Sequence, residues 1–341
     1  MILELIISTL VFPGVLFISA LSFFTEWYLR KSVAHMQSRM GPTYVGPIGL
    51  LQPFMDFVKL LAVKEEIKQK YSITWLAELF GVLGISAIVS SLLLLPLSPI
   101  RIAADYDFLI YIYLLGVMVP ITMVVMSLCM SNPFTSIGVS RLLSIILIVE
   151  PAFFAGMLTP ILIAAYIVSN VPVFCGEAYC RLPLYSIFSS STTIGSAWSN
   201  PIYAIALTIG LAATVVSVQA KAMLNPFNIP EAEQELIAGV KTEFSGPLLA
   251  IFNLLHNVEL SSSILFITYV FLGGPYPFRH LSIQGVLILI AKYITILTLV
   301  AIVRALFGRF RVEQGVWILI KYSLIPAIVA VAIVSLFNLY V

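Results

Sequence analysis

Eight stretches of about 20 mostly apolar residues, near 3–25, 76–97, 108–130, 142–168, 201–224, 244–272, 281–303 and 315–340, govern what this chain can fold into. A helix of that length crosses the hydrocarbon core of a bilayer, where only helices and closed barrels satisfy every backbone polar group. The expected fold is an all-α integral membrane protein, one polytopic domain over 1–341 with about eight transmembrane helices. The 10% of charged residues, against about 25% in soluble domains, agrees. A mean hydropathy of +1.06 belongs to the whole chain and excludes a soluble enzyme on a single anchor. The net charge of +2 is too small and too scattered for a nucleic-acid surface. The first 25 residues lack a basic leader and read as a retained span. Pro13, Pro96, Pro120, Pro151 and Pro160 lie in or beside the windows and predict kinks.

Loop charge sets the orientation. Loop one holds Arg30, Lys31, Arg39, Lys59, Lys64, Lys68 and Lys70, loop three Arg141, loop five Lys221 and Lys241, and loop seven Arg304, Arg309 and Arg311. The even loops hold only Arg101, Arg181 and Arg279, so the positive-inside rule places the odd loops in the cytoplasm and both termini outside a cell membrane.

Cofactor chemistry within the chain is sparse. Cys129 falls in the third span, while Cys175 and Cys180 flank a turn in the outer loop, where a disulfide or two inert thiols are both open and fit better than a metal site. Three cysteines cannot hold a four-thiolate cluster. Of His35, His256 and His280 only His256 lies in a span, so no facing pair is available for a haem. No phosphate-binding loop, nucleophile triad or internal repeat is visible.

The polar residues concentrate in two odd loops. In the first, Arg39-Met40-Gly41-Pro42 and Gly46-Pro47 precede an amphipathic segment near 48–64. Leu51, Phe54, Met55, Val58, Leu61 and Ala62 form its apolar face, and Gln52, Asp56 and Lys59 the opposite one at contact spacing. Such a helix suits the membrane interface or the underside of a partner. The fifth loop reads Pro230-Glu231-Ala232-Glu233-Gln234-Glu235-Leu236 and then Glu243-Phe244-Ser245-Gly246. Glu231 and Glu233 complement a helix N-terminus, yet Glu235 and Glu243 crowd beside them with only Lys221 and Lys241 to compensate. A carboxylate cluster at a membrane boundary predicts raised pKa values. Within the spans, Glu150 is the strongest functional candidate, with Glu259, His256 one turn before it, and Lys292 behind.

Together these loops resemble the subunit 1/H family of respiratory complex I, shared with membrane-bound [NiFe]-hydrogenases and related sulfur-reducing complexes. The first-loop residues Arg30-Lys31, Gln37, Arg39, Gly41-Pro42, Val45-Gly46-Pro47, Gly49 to Pro53, Asp56, Lys59 and Lys64-Glu65 carry the resemblance. So do Pro226-Phe227, the acidic fifth loop, Arg141 through Glu150, and Arg304, Arg309, Arg311 and Glu313-Gln314. It implies eight helices, a laterally packed interfacial helix, and a site against a hydrophilic redox arm from which energy passes to ion-moving subunits. Leu29, Lys221, Asn228 and His256 stand where the family usually carries acids, and Leu224 where it carries Arg, with Glu26 one turn before Leu29. Those departures favour the hydrogenase or sulfur-reductase branch over a quinone-using one.

The resulting expectation is a non-catalytic membrane-anchor and coupling subunit of an ion-translocating oxidoreductase. Glu150, Glu231, Glu233, Glu235, Glu243, His256 and Glu259 are assigned to proton or ion coupling. Arg30, Arg39, Gln52, Asp56, Lys59, Lys221, Arg304, Arg309 and Arg311 are assigned to redox-arm docking or a quinone-like chamber. The resemblance implies no cofactor in this chain, with iron–sulfur clusters and a NiFe centre in partners. Those partners are a [NiFe]-hydrogenase-like large subunit, an iron–sulfur small subunit and antiporter-like membrane subunits. A quinone-site subunit, a stand-alone cation transporter and a purely structural anchor are the alternatives. The moving ion, H⁺ or Na⁺, and the electron acceptor stay open.

Overall fold

The computed structural model describes residues 7–67, 70–98, 104–170, 174–175, 178–179, 183–278 and 282–340. The Cys175 side chain and Cys180, on which the disulfide reading falls, lie outside the described residues, as do Glu4, Lys68, Arg101, Arg181, Arg279 and His280. Apart from a two-residue antiparallel pair, Phe174–Cys175 with Ala178–Tyr179, the regular structure described is helical. Among the described residues eight helices are long and apolar enough to cross a membrane, and the chain is an all-α, multi-pass membrane protein.

In chain order the helices of seven or more residues are α1 Val15–Met36, α2 Gln52–Val58, α3 Thr74–Leu92, α4 Asp107–Leu128, α5 Pro133–Asn170, α6 Ile187–Ala197, α7 Pro201–Lys221, α8 Gly246–Leu272, α9 Ile283–Leu306 and α10 Val312–Tyr340, with a single turn at Glu233–Leu236 in the fifth loop. The spans are α1, α3, α4, α5 and α7 to α10, with the first beginning at Ile7 across a turn before α1. Two bounds differ usefully from the hydropathy windows. α1 continues through Glu26 and Arg30, and α5 begins at Pro133, before Arg141. Along the polar start of α5 the hydroxyls are satisfied within the helix, Ser136 donating to the Pro133 carbonyl, Ser140 to Ile137 and Ser144 to Ser140, at 2.8–2.9 Å. A hydropathy window scores those residues as polar, while the helix hides their hydroxyls.

Starts and stops follow ordinary capping chemistry. Asn200 accepts from the Ile202 amide ahead of α7, with Pro201 in its first turn, and Ser282 accepts from Gly285 at the start of α9. Buried Asp107 takes the Ser186 hydroxyl (2.6 Å) and the Ile187 amide (2.8 Å), so the start of α4 caps α6. α8 stops at Gly273, whose φ of +71° suits a left-handed cap. Lys292 from α9 then donates to the carbonyls of Leu272, Gly274 and Tyr276 at 2.6–2.9 Å. That accounts for an intramembrane lysine without invoking ion movement.

The amphipathic segment near 48–64 is shorter and less regular than expected, with a 3₁₀ turn at Pro47–Gly49, α2, and a π turn at Lys59–Val63. Pro53, Asp56, Phe57 and Leu60 face inward, while Leu51, Phe54, Met55 and Leu61 are exposed. An apolar face turned out of the bundle fits a helix lying along the interface.

α8 is the most enclosed span and packs against α1, α3, α6, α7 and α9, while α5, α7 and α10 pack together beside it. Polar groups on one face of α8 therefore meet both halves of the molecule.

Candidate functional site

Two polar features share α8. The first is a cavity of about 290 Å³ among α1, α2, the fifth loop, α8 and the end of α9. Seven ionisable side chains line it: Glu26, Arg30, Asp56, Glu231, Lys241, His256 and Arg304. Their positions follow from helical spacing. Arg30 pairs with Glu26 four residues earlier and reaches across to Asp56 at 3.0 Å, and Gln52 donates to Asp56 at 3.0 Å one turn away on α2. Asn257 donates to the other oxygen of Glu26 (2.6 Å), and Glu231 pairs with Lys241 (2.6 Å). Asn228 Oδ1 and His256 Nδ1 are buried without a protein hydrogen-bond partner. A second recess, bounded by Arg30, Arg39 and Arg304 with Gly41 and Pro42, adjoins it through the shared arginines.

The second feature is buried among the spanning helices. Lys221, at the last turn of α7, has a side chain only 2% exposed; its Nζ is 2.8 Å from Glu150 of α5 and 3.5 Å from Glu259 of α8. It also donates to the Leu115 carbonyl at 3.0 Å, and the Phe153 ring lies 5.3 Å from the ammonium. α4 supplies that carbonyl through a π turn at Tyr113–Met118. In π register the partner of Leu115 is residue 120, which is Pro120 and has no N–H, so the carbonyl is left for another donor. Gly116 completes the fit, because a Cβ there would come within 2.5 Å of Glu150 Oε2.

His256 and Glu259 join the two features. They stand three residues apart on α8, on one face and about 5–6 Å from each other by helix geometry. His256 lines the cavity and Glu259 belongs to the buried triad. One helical turn therefore leads from the charged cavity to the buried triad.

The fifth loop corrects one expectation. Its carboxylates are not left uncompensated beside one another. Glu231 takes Lys241, Glu243 takes the Asn132 amide, and Glu233 is exposed. Glu235 is clamped by Arg141 and Arg309 at 2.5 Å each. The Arg141 hydrogen bond, with the Arg309 charge beside it, holds Glu235 below the usual carboxylate range. Counting lysines within the loop missed this, because the compensating arginines come from α5 and the seventh loop.

Glu235 gives a pH prediction. Its folded value lies below its unfolded one, so the clamp contributes at neutral pH and is lost as pH falls through the lowered value. The pairs are partly exposed, so the effect is local loosening and not unfolding. Hydrogen exchange over residues 225–245 should stay protected through the usual carboxylate range and rise only below it, while Glu235→Gln is loose throughout. A loss of protection between pH 6 and 8 would contradict the assignment.

Other assigned residues part company. Lys221, grouped with the chamber, belongs to the triad, because the end of α7 faces α5 and α8. Lys59 is exposed and Arg30 occupies the place expected of it beside Asp56, since the π turn rotates the helix end outward. Arg309 is spent on Glu235, and Arg311 is exposed near the same carboxylate. Glu26 and Lys241 are cavity residues that the site assignment omitted; Glu26 was legible from its spacing to Arg30. Nothing local marked Leu115 except the proline five residues on.

A family model described as NADH dehydrogenase matches residues 7–335. Among solved structures, a chain of the membrane-bound sulfane sulfur reductase, an archaeal respiratory membrane complex, superposes with a TM-score of 0.72. The two are 21% identical, and the match covers 94% of this chain and 96% of that one. At that identity the likeness concerns the fold.

Proposed function

This chain belongs to the NADH dehydrogenase family, in its subunit 1/H branch, and from that premise we propose that it is the membrane-anchor and coupling subunit of an ion-translocating oxidoreductase of hydrogenase or sulfur-reductase type. On this reading its odd loops face the cytoplasm and its termini lie outside a cell membrane. Loops one, five and seven dock a [NiFe]-hydrogenase-like large subunit and an iron–sulfur small subunit. The redox centres sit in those partners, and charge movement at the interface is relayed to antiporter-like membrane subunits.

The observation that carries the proposal is the single turn of α8 that places His256 at a charged chamber and Glu259 beside Glu150 and Lys221. Buried ionisable groups are expensive in a bilayer and are retained where charge must pass. A change of charge at the chamber, felt by His256 and Glu231, has a short path to carboxylates that can take up or release a proton. The arginine recess of Arg30, Arg39 and Arg304 offers donors to an acidic docking surface.

A quinone chamber is the second reading, and the cavity itself favours it, since about 300 Å³ is the lower end of ordinary ligand pockets. Seven ionisable lining residues suit water and protons better than a neutral ring, because ligand pockets are mostly apolar.

The test is to purify the complex in mild detergent, identify its chains by mass spectrometry, and assay it with hydrogen, polysulfide and a soluble quinone. A [NiFe]-type large subunit with hydrogen or sulfur turnover and no quinone reduction is expected. Inhibitor-sensitive quinone reduction would transfer the assignment to the quinone reading, and a chain without partners would sink both.

A further inference from the structure

The ammonium of Lys221 fills a cage of oxygens. It donates to the Leu115 carbonyl at 3.0 Å and to Glu150 Oε1 at 2.8 Å, and faces Glu259 Oε1 across an ion pair of 3.5 Å. Free carbonyls of widened helix turns and buried carboxylates are the groups from which membrane proteins build sodium sites. Here the cation is supplied by the chain. Glu150 Oε2 is buried, lacks a hydrogen-bond partner, and lies where Gly116 leaves room.

We infer that Lys221 is a tethered cation that occupies a latent sodium cage, so that this node passes protons and excludes sodium. The inference rests on the relay reading above and names the ion that the relay carries. A free cation entering the cage would need the coordination space already held by the Lys221 nitrogen and would face an ammonium at contact distance in a medium that screens it poorly. A proton needs no such space, because it binds to a carboxylate oxygen already present. The charge count agrees. One ammonium and two ionised carboxylates sum to −1, and one added proton makes the cluster neutral, so the node alternates between two states that differ by one proton.

The experiment uses the whole complex, with Na⁺ as the probe and infrared difference spectra of the carboxylate bands as the readout. Wild type and Lys221→Arg should show no saturable Na⁺-induced shift. Lys221→Ala should gain one, and Lys221→Ala combined with Glu259→Gln should lose it again. An assembled Lys221→Ala complex that shows no shift would overturn the inference, as would a wild-type shift that disappears in Glu259→Gln. Should Lys221→Ala fail to assemble, wild type against Glu259→Gln decides: identical Na⁺-insensitive spectra support the filled cage, and a shift confined to wild type refutes it. Failure of the relay reading is seen separately, as unaltered turnover and pumping in Glu150→Gln, and does not move the Na⁺ spectra.

Discussion

Glu150→Gln is expected to cut coupled turnover by about a hundredfold or more, the effect of removing a positioned proton-transfer group, with the complex still assembled. The substitution keeps the shape of the side chain. Its amide oxygen still accepts from Lys221, and Glu259 remains as the counter-charge at 3.5 Å, so the ammonium is not stranded. What disappears is one of two carboxylates able to exchange a proton beside Lys221. Alanine would be the worse test, since opening a cavity next to a buried ammonium mixes packing loss with charge loss. A purely structural anchor predicts that turnover per assembled complex is unchanged. Normal turnover with normal pumping would therefore remove Glu150 from the pathway and leave the triad as a packing device.

The sequence makes some of this architecture legible and hides the rest for physical reasons. Hydropathy finds the spans because lipid forces about 20 apolar residues into each. It misplaces the start of α5, where Ser136, Ser140 and Ser144 return their hydroxyls to the backbone and behave as less polar than their names. Glu26 with Arg30, Gln52 with Asp56, and His256 with Glu259 stand at helical spacing, so their shared faces can be read from numbering alone. The contact between Glu150 and Lys221 spans 71 residues and that between Arg141 and Glu235 spans 94, and no local pattern encodes either. The fifth loop misled for that reason: its acids look uncompensated only while α5 and the seventh loop are out of view. Lys221 reads in the sequence as a charge reversal, and only the fold shows that reversal set between two carboxylates.

Gly239→Ala is expected to shorten the half-life of the assembled complex in detergent by about a hundredfold, with Gly308→Ala as a neutral control. Gly239 has φ of +52°, and a Cβ there would fall 1.8 Å from the Pro230 carbonyl oxygen, an overlap that a backbone atom cannot relieve by changing rotamer. The same loop is wedged against α5, where a Cβ on Gly138 would meet the Val240 amide nitrogen at 2.7 Å and the Gly239 carbonyl carbon at 2.9 Å. Left-handed strain contributes about 1–3 kcal/mol, and displacing the loop adds the loss of the ties from Glu235 to Arg141 and Arg309 and from Glu231 to Lys241. About 3 kcal/mol in total corresponds to roughly a hundredfold. At Gly308 nothing lies within 4 Å of the added carbon, so alanine there should leave the half-life unchanged. Equal half-lives in the two variants would mean that the fifth loop does not depend on the close approach of Gly239 to Pro230. A selective loss in Gly239→Ala would show that the chamber wall bearing Glu231 and Lys241 stands only while the Gly239 backbone can close against Pro230.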